Sequence, residues 1–537
     1  MTEPKKQNYL HGATILTAGV IIMKILGAVY KIPLGNILGD DGYAHFLTAY
    51  NIYNVFLTIA TAGLPVALSR LISEANTLNR PAQIQRTFRV AFMTFLVLGA
   101  VSTLLMFAFP NQLANAIEDE EAAQSIWALS PAVLLVCLTS TYRGYCQGFG
   151  NMTPTTVGQV LEVLVKVVVG LVLAIILTKA SKTLPVCSAG AIFGVTVGSL
   201  AALVYMFTYK RRFYPQERIE NPDTPDSAGK IFGSLMKVGI PITLGSSVLS
   251  LITLIDTKLV WSRLQGAAGF TYAATKTLYG VYGKAQTLYN LPAAFITPLT
   301  ISIVPAIASL IVKRQRKDAA IIAESSLRIA TVVSLPMAVG LAVLAYPIVN
   351  VLYPNSHEAG PKLLVLLAIA SYFVCMALMS NAVLQASGNE IYPVVSMLAG
   401  GIVKIAVNWV LVGNPDINIV GAPIGTLCCY VVMCALNYFF MSKCLYKRPK
   451  LTRVLVTPAM SCAVMGVSAW AVYALLSKLM SHGGELGRIP MALAMAVAIC
   501  VAVVLYLIMI IFTRSITMDD MKLIPKGEKI GRLLHIK

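Results

Sequence analysis

Charge is scarce in this chain: Asp, Glu, Lys and Arg make up 12% of 537 residues, against 57% hydrophobic residues and a mean hydropathy of +0.75. So little polar cover excludes a soluble globular fold, because the apolar surface could not be hidden from water. Long polar stretches are missing as well. No loop between apolar runs exceeds about twenty residues, which leaves no room for an inserted soluble domain. There is no Walker-type phosphate loop, no HExxH and no catalytic constellation, so ATP-driven transport by this chain alone and membrane-enzyme chemistry are both disfavoured. The ten cysteines lie in or beside apolar runs without metal-ligand spacing, and the five histidines are scattered. They read as small buried hydrophobes and isolated rings, with no metal or cofactor site. Acids are the scarcer charge, 23 against 42 bases, for a net +19.

What is present is apolar length. A helix needs roughly 20 apolar residues to cross the hydrocarbon core, and such runs recur about fourteen times, without the ten-residue alternation of a β-barrel. An all-α integral membrane bundle follows. The first span is placed near 11–35, the second near 45–69, the eighth near 276–310 and the last near 489–513. The opening segment reads as that first span and not as a cleavable signal, since its apolar run is full length and no small-residue cleavage site follows. Alternate loops differ in charge. The N-terminus, the stretches 70–89, 210–230, 313–317 and 443–453, and the tail after Arg514 hold about 26 bases. The opposite loops hold about eight and include the acidic run Glu118 to Glu121. The positive-inside rule then puts both termini in the cytoplasm of a cell bearing this protein in its cytoplasmic membrane. The basic excess thus reports topology and contact with anionic lipid headgroups, and nucleic acid is disfavoured as a partner.

The chain also resembles itself at a separation of about 238 residues. Gln147-Gly148-Phe149-Gly150-Asn151 is echoed by Gln385-Ala386-Ser387-Gly388-Asn389, and Val165-Lys166 by Val403-Lys404. Tyr53-Asn54 answers Tyr289-Asn290, with a small change of offset. The expected organisation is an N-lobe of six spans over 1–228, a C-lobe of six over 229–445, and a helix pair with a cytoplasmic tail over 446–537. Six spans between equivalent points make the repeat parallel, as in alternating-access transporters with a site between repeats.

Ionisable groups at membrane depth are expensive and mark cavities, partners or interfaces. Lys24 and Lys31 are seven residues apart and share one helix face. Lys24, Lys284 and Lys404 have no local partner in sequence and read as cavity-lining, while Lys31, Arg143 and Lys258 sit near span ends and fit a snorkelling role equally well. Glu162 and Lys166, four apart, suit a self-neutralising pair. Asp256 suits either a lysine counter-ion or a coupling-ion ligand. Tyr279, Tyr282, Gln286 and Asn290 offer the aromatic and amide groups that meet sugars. Gly63-Leu64-Pro65, Gly239-Ile240-Pro241, Pro292, Pro298 and Pro305 are expected to interrupt helices.

The runs Lys24 to Pro33, Ala60 to Arg70, Leu278-Tyr279-Gly280 and Tyr289 to Pro292 resemble the SpoVB and MurJ-like branch of the multidrug/oligosaccharidyl-lipid/polysaccharide flippase superfamily. The resemblance implies two six-helix lobes around a central cavity and two C-terminal helices that help form a groove for a lipid tail. It implies export of an undecaprenyl-diphosphate-linked saccharide, lipid II first, in support of peptidoglycan synthesis. By position, the family's basic residues of the first and eighth spans fall on Lys24, on Lys31 or its neighbour, and on Lys284. Lysine where arginine is frequent removes bidentate phosphate geometry but keeps the charge. The expected partners are the lipid-linked glycan, membrane lipids and cell-wall synthesis machinery. No cofactor is expected, with drive from the membrane potential or from Na+ or H+ through Asp256 or Glu162. A cation-coupled drug exporter, a teichoic or polysaccharide precursor flippase, and a sporulation role stay open.

Overall fold

A computed structural model describes residues 9–214, 223–446, 450, 452–481, 486–513 and 515. Lys5, Lys6, Arg218, Lys447, Arg448 and the bases of the tail from Arg514 onward, which entered the topology reading, lie outside the described residues.

Helices α1 (Tyr9–Thr61), α2 (Leu64–Thr77), α3 (Pro81–Ala108), α4 (Pro110–Ile117), α5 (Ala123–Gly148), α6 (Thr153–Lys179) and α7 (Leu184–Phe213) form a first run. A second run holds α8 (Ala228–Gly266), α9 (Tyr272–Tyr289), α10 (Leu291–Val312), α11 (Arg316–Val343), α12 (Ala345–Leu352), α13 (Ala359–Ala386), α14 (Ile391–Leu411) and α15 (Gly421–Cys444). Helices α16 (Thr457–Met480) and α17 (Arg488–Thr513) follow, and no strand occurs among the described residues. Among the described residues, thirteen helical stretches are long and apolar enough to cross a membrane, and the first of them, 18–77, is counted once. At ~1.5 Å per residue α1 alone is about 80 Å long, far more than one hydrocarbon core needs. Its backbone breaks at Gly39 (φ 71°, ψ −169°), a conformation that only glycine adopts without strain, so α1 is two rods joined there.

Several expected interruptions are corrected. The second span ends at Thr61 and restarts at Leu64 with Pro65 in the first turn, as expected for Gly63-Leu64-Pro65. The eighth, expected as one span over 276–310, is two helices separated at Asn290, because Pro292 suits a helix start better than a continuation. By contrast α8 runs through Pro241, and α10 through Pro298 and Pro305, without ending.

The two runs repeat their order. Helices α3 and α11 are each 28 residues, and each is followed by an 8-residue helix, α4 or α12. The ends of α5 and α13 repeat to the level of single hydrogen bonds. Gly150 (φ 75°) and Gly388 (φ 78°) both take the left-handed conformation; Asn151 donates to the Cys146 carbonyl as Asn389 does to that of Leu384. These are the same glycine-terminated helix caps.

Contacts divide the chain into two compact units, 1–262 with 271–280, and 263–270 with 281–537. In the first unit α6 lies on α7 with almost no side-chain spacer. A Cβ at Gly194 would press on the Gly170 backbone and the Lys166 carbonyl, and one at Gly198 on the Glu162 carbonyl at 2.5 Å. This is small-residue packing of the kind membranes favour, and it fixes Glu162 and Lys166 against α7. In the second unit α16 and α17 pack on each other and on α11, around Val332, Met465, Ala469 and Ala502. There the Tyr506 hydroxyl donates to the Val332 carbonyl at 2.6 Å.

Candidate functional site

The second rod of α1 carries an aromatic stripe at Tyr43, Phe46, Tyr50 and Tyr53, spaced three and four residues apart so that one helix face holds them all. Neighbouring rings along it lie 5.8, 6.1 and 5.9 Å apart. Tyr30, on the first rod, joins at 6.1 Å from Phe46 and donates its hydroxyl to the Ala191 carbonyl of α7 at 2.9 Å. Sequence reading missed this stripe, although its heptad spacing was a usable signal.

The stripe gathers cations. The Lys166 ammonium lies 4.9 Å from the Tyr50 ring centroid and 5.5 Å from that of Tyr30, and Lys31 lies 5.7 Å from Tyr50. Lys31 is also an electrostatic neighbour of both Lys166 and Lys24. Lys31 and Lys166 are half-buried, and Lys24 is exposed one heptad back along α1. Among the described residues, no carboxylate comes within 4.0 Å of Lys24, Lys31 or Lys166. Lys31 thus has an ammonium neighbour on either side, and it and Lys166 rest against tyrosine rings. Each cation–π contact stabilises by about 0.5–2 kcal/mol, and Lys166 also hydrogen-bonds the Tyr50 hydroxyl, which leaves its other N–H donors for an anion.

The expected Glu162–Lys166 pair is corrected. Glu162 accepts from Arg143 Nη2 of α5 at 2.7 Å and from the Ser199 hydroxyl of α7 at 3.2 Å. The Arg143 side chain is only 12% exposed, so it pairs inward instead of snorkelling. The guanidinium's planar fork outcompetes an ammonium for the carboxylate, and Lys166 is left to the rings.

Other expected site residues fall elsewhere. Asp256 is buried on α8 and Lys258 is exposed. The Tyr279 hydroxyl donates to Thr257 at 3.2 Å and accepts from Asn51 at 3.3 Å, so it ties α9 to α8 and α1. In the second unit Lys284 is 4% exposed with its ammonium 5.2 Å from the Tyr353 ring. Tyr282 is buried, its hydroxyl 3.5 Å from that of Thr426. Asn290 is exposed and donates to the Gln286 carbonyl at 2.7 Å, capping α9. Lys404 is half-buried beside Tyr430, itself next to Tyr289. Each unit therefore sets the lysine of its repeated Val-Lys pair against tyrosine.

A second charged network was not foreseen. His45 is fully buried, with Nδ1 2.7 Å from Asp119 and Nε2 2.8 Å from Glu121. Lys276, near the start of α9, lies 3.3 Å from Glu121 and 3.7 Å from Asp41. Tyr272 donates to Asp119 at 3.0 Å and Thr277 to Asp41 at 2.6 Å. A Cβ at Gly280 would overlap the Asp40 carbonyl, so α9 meets the Gly39 turn backbone to backbone. The acidic run read only as a topology marker thus pins the first turns of α9. Finally, α10, α11, α12, α16 and α17 line an open apolar hollow of about 340 Å³ walled by Leu291, Pro336, Gly340, Ile348, Ala469 and Tyr506.

A helical membrane bundle with repeated halves is a transporter architecture. The profile of the family described as "Polysaccharide biosynthesis protein" matches residues 9–311, and the chain belongs to that family. It is 27% identical to stage V sporulation protein B of Bacillus subtilis over 98% of this chain and 99% of that one. It is 24% identical to lipid II flippase MurJ of the same organism, over 88% and 90%. Among solved structures, a lipid II flippase MurJ in an inward closed conformation covers 93% of this chain and 99% of its own length (TM-score 0.66, 14% identity). An inward-facing multidrug resistance MATE family transporter of the MOP superfamily covers 80% of this chain and 98% of its own length (TM-score 0.62, 13% identity). The resemblance read from Lys24 to Pro33 and Ala60 to Arg70 is borne out, and the fold is that of the MurJ and MATE transporters.

Proposed function

We propose that this protein exports an undecaprenyl-diphosphate-linked saccharide, lipid II first, across the cytoplasmic membrane by alternating access. The observation that carries this reading is the convergence of Lys31 and Lys166 on Tyr50, with Lys24 as a neighbour of Lys31 and no carboxylate within ion-pair reach among the described residues. A lysine at membrane depth costs roughly 3 kcal/mol on insertion scales, so three together require a compensating anion, which a diphosphate supplies. The names of the relatives point the same way: a sporulation protein and a lipid II flippase. Lys284 and Lys404 are further phosphate or sugar contacts in this scheme, and the apolar hollow beside α16 and α17 receives part of the prenyl chain.

Orientation follows from the basic loops, with both termini cytoplasmic. Outward movement of a diphosphate is then downhill by ~2.3 kcal/mol per charge per 100 mV of inside-negative potential, so export proceeds without a bound cofactor. The His45, Asp119, Glu121 and Lys276 network holds the first turns of α9, the helix that carries Lys284. The lobes of this scheme are 1–228 and 229–445, with 446–537 added.

The decisive experiment is reconstitution into liposomes with labelled lipid II and, separately, with another polyprenyl-linked glycan, scoring leaflet accessibility. Lipid II movement that is lost in Lys31→Gln and Lys166→Gln supports the proposal. Movement of only the second glycan keeps a flippase and removes lipid II. Full activity in both variants removes the site.

A further inference from the structure

We propose that the basic end of the first unit carries a built site for the phosphate headgroup of an anionic phospholipid, separate from the Tyr50 cluster. A cavity of about 250 Å³ opens there between the first turns of α3 and the last turns of α5 and α7. Its walls are the rings of Phe88, Phe92, Tyr142 and Tyr145, with Lys210 and Arg89 as its cations and no carboxylate in its lining.

The walls are locked by one another. Phe88 meets Tyr145 edge-on at 5.0 Å and Tyr142 at 5.6 Å, and Tyr145 meets Tyr214 edge-on at 5.5 Å. A box of interlocked rings is preformed, which lowers the ordering cost of binding. Lys210 behaves unlike its neighbours. Arg211 and Arg212 are exposed, whereas the Lys210 ammonium turns inward to 3.6 Å from the Phe88 ring centroid and 4.8 Å from that of Tyr145. No carboxylate lies within 4.0 Å of it among the described residues. The rings hold this cation without using its N–H donors, so it presents charge and hydrogen bonds to whatever enters. The exposed Arg89 adds a second cation at the rim.

Position selects the ligand. The three helix ends lie where the basic stretches 70–89 and 210–230 meet the membrane, and basic pockets between transmembrane helices at that level take lipid headgroups. A phosphodiester with its glycerol matches the chemistry: the cations take the phosphate and the aromatic faces cover the glycerol and first acyl carbons. Tyr142 faces this cavity while the adjacent Arg143 holds Glu162, so α5 joins the headgroup site to the support of Lys166. The leaflet rests on the positive-inside orientation; the site itself does not depend on which glycan is moved.

The test uses the purified full-length protein and native mass spectrometry with three probes: phosphatidylglycerol, phosphatidylcholine and glycerol 3-phosphate. Wild type is expected to retain phosphatidylglycerol selectively. Lys210→Gln should weaken that retention about fivefold, the effect of one basic residue at a charged membrane surface, and Lys210→Arg should restore most of it. An unchanged thermal midpoint in Lys210→Gln excludes simple misfolding. Equal retention of the zwitterionic lipid, or no loss in Lys210→Gln, overturns the proposal. Glycerol 3-phosphate bound as strongly as the lipid assigns the site to a soluble phosphate ester and overturns the membrane source. Binding is read without transport, so a protein that moves no lipid II still reports on this site.

Discussion

The two repeats solve the same packing problem with different chemistry. In the first, Arg143 and Ser199 converge on Glu162. At positions 238 residues later stand Asn381, Asn437 and Gly400. There Asn437 donates to Asn381 at 2.7 Å and to Ser380 at 2.9 Å, with no charge involved. Helix order, helix caps and the lysine at 166 and 404 survive in both, so the ionic set is not required to hold such helices together. Burying an ion pair is close to break-even against a neutral replacement. Its retention on one side fits a positioning role, because with Glu162 occupied by Arg143, Lys166 stays un-neutralised beside Tyr50.

That contrast can be broken by mutation. Glu162→Gln strands the Arg143 guanidinium in a mostly buried place and is expected to cost about 3 kcal/mol, read as a lowered thermal midpoint in detergent. Converting the site to its counterpart, Arg143→Asn with Glu162→Gly and Ser199→Asn, should recover most of that loss; no recovery would mean that the repeats differ in more than these side chains. Next in size is transport. Lys166→Gln should slow glycan movement more than tenfold, and more than Lys404→Gln, since only Lys166 shares its tyrosine with a second lysine. Equal losses would place the two lysines on one footing and dissolve the asymmetry. Lys276→Met removes two contacts to half-exposed carboxylates and should cost about 1 kcal/mol or less, while making outer-side cysteine labels near residue 272 more reactive. The smallest effect probes sameness: Gly150→Ala and Gly388→Ala, both at positive φ, should each destabilise by about 1 kcal/mol, equally within error.

Much of the architecture was legible because lipid reduces the choices: apolar length gave the helices, and the Gln-Gly/Gln-Ala echo gave the repeat. The Gly39 break was not, since a glycine inside an apolar run reads like any other small residue until its φ is known. Nor was the division of the eighth span, where Pro292 looked no different from Pro298 or Pro305, which their helices absorb. For the site, Lys24 and Lys31 were found from spacing alone. The Glu162–Lys166 pair was misjudged because neighbours along one helix are visible in sequence, while the Arg143 guanidinium arrives from another helix 19 residues away. The His45 network draws on positions 41, 45, 119, 121 and 276, separations at which a single sequence carries no pairing signal.

The interruption at Asn290 makes α9 a short rod, 18 residues and about 27 Å long, pinned at its first turns and severed from α10 at its far end. Its first half is seamed to its neighbours as well: the Tyr279 hydroxyl ties to Thr257 and Asn51, and Gly280 lies on the Asp40 backbone with no room for a Cβ. Any side chain at 280 would prise this half of the rod off the backbone beneath it, so glycine alone suits that position.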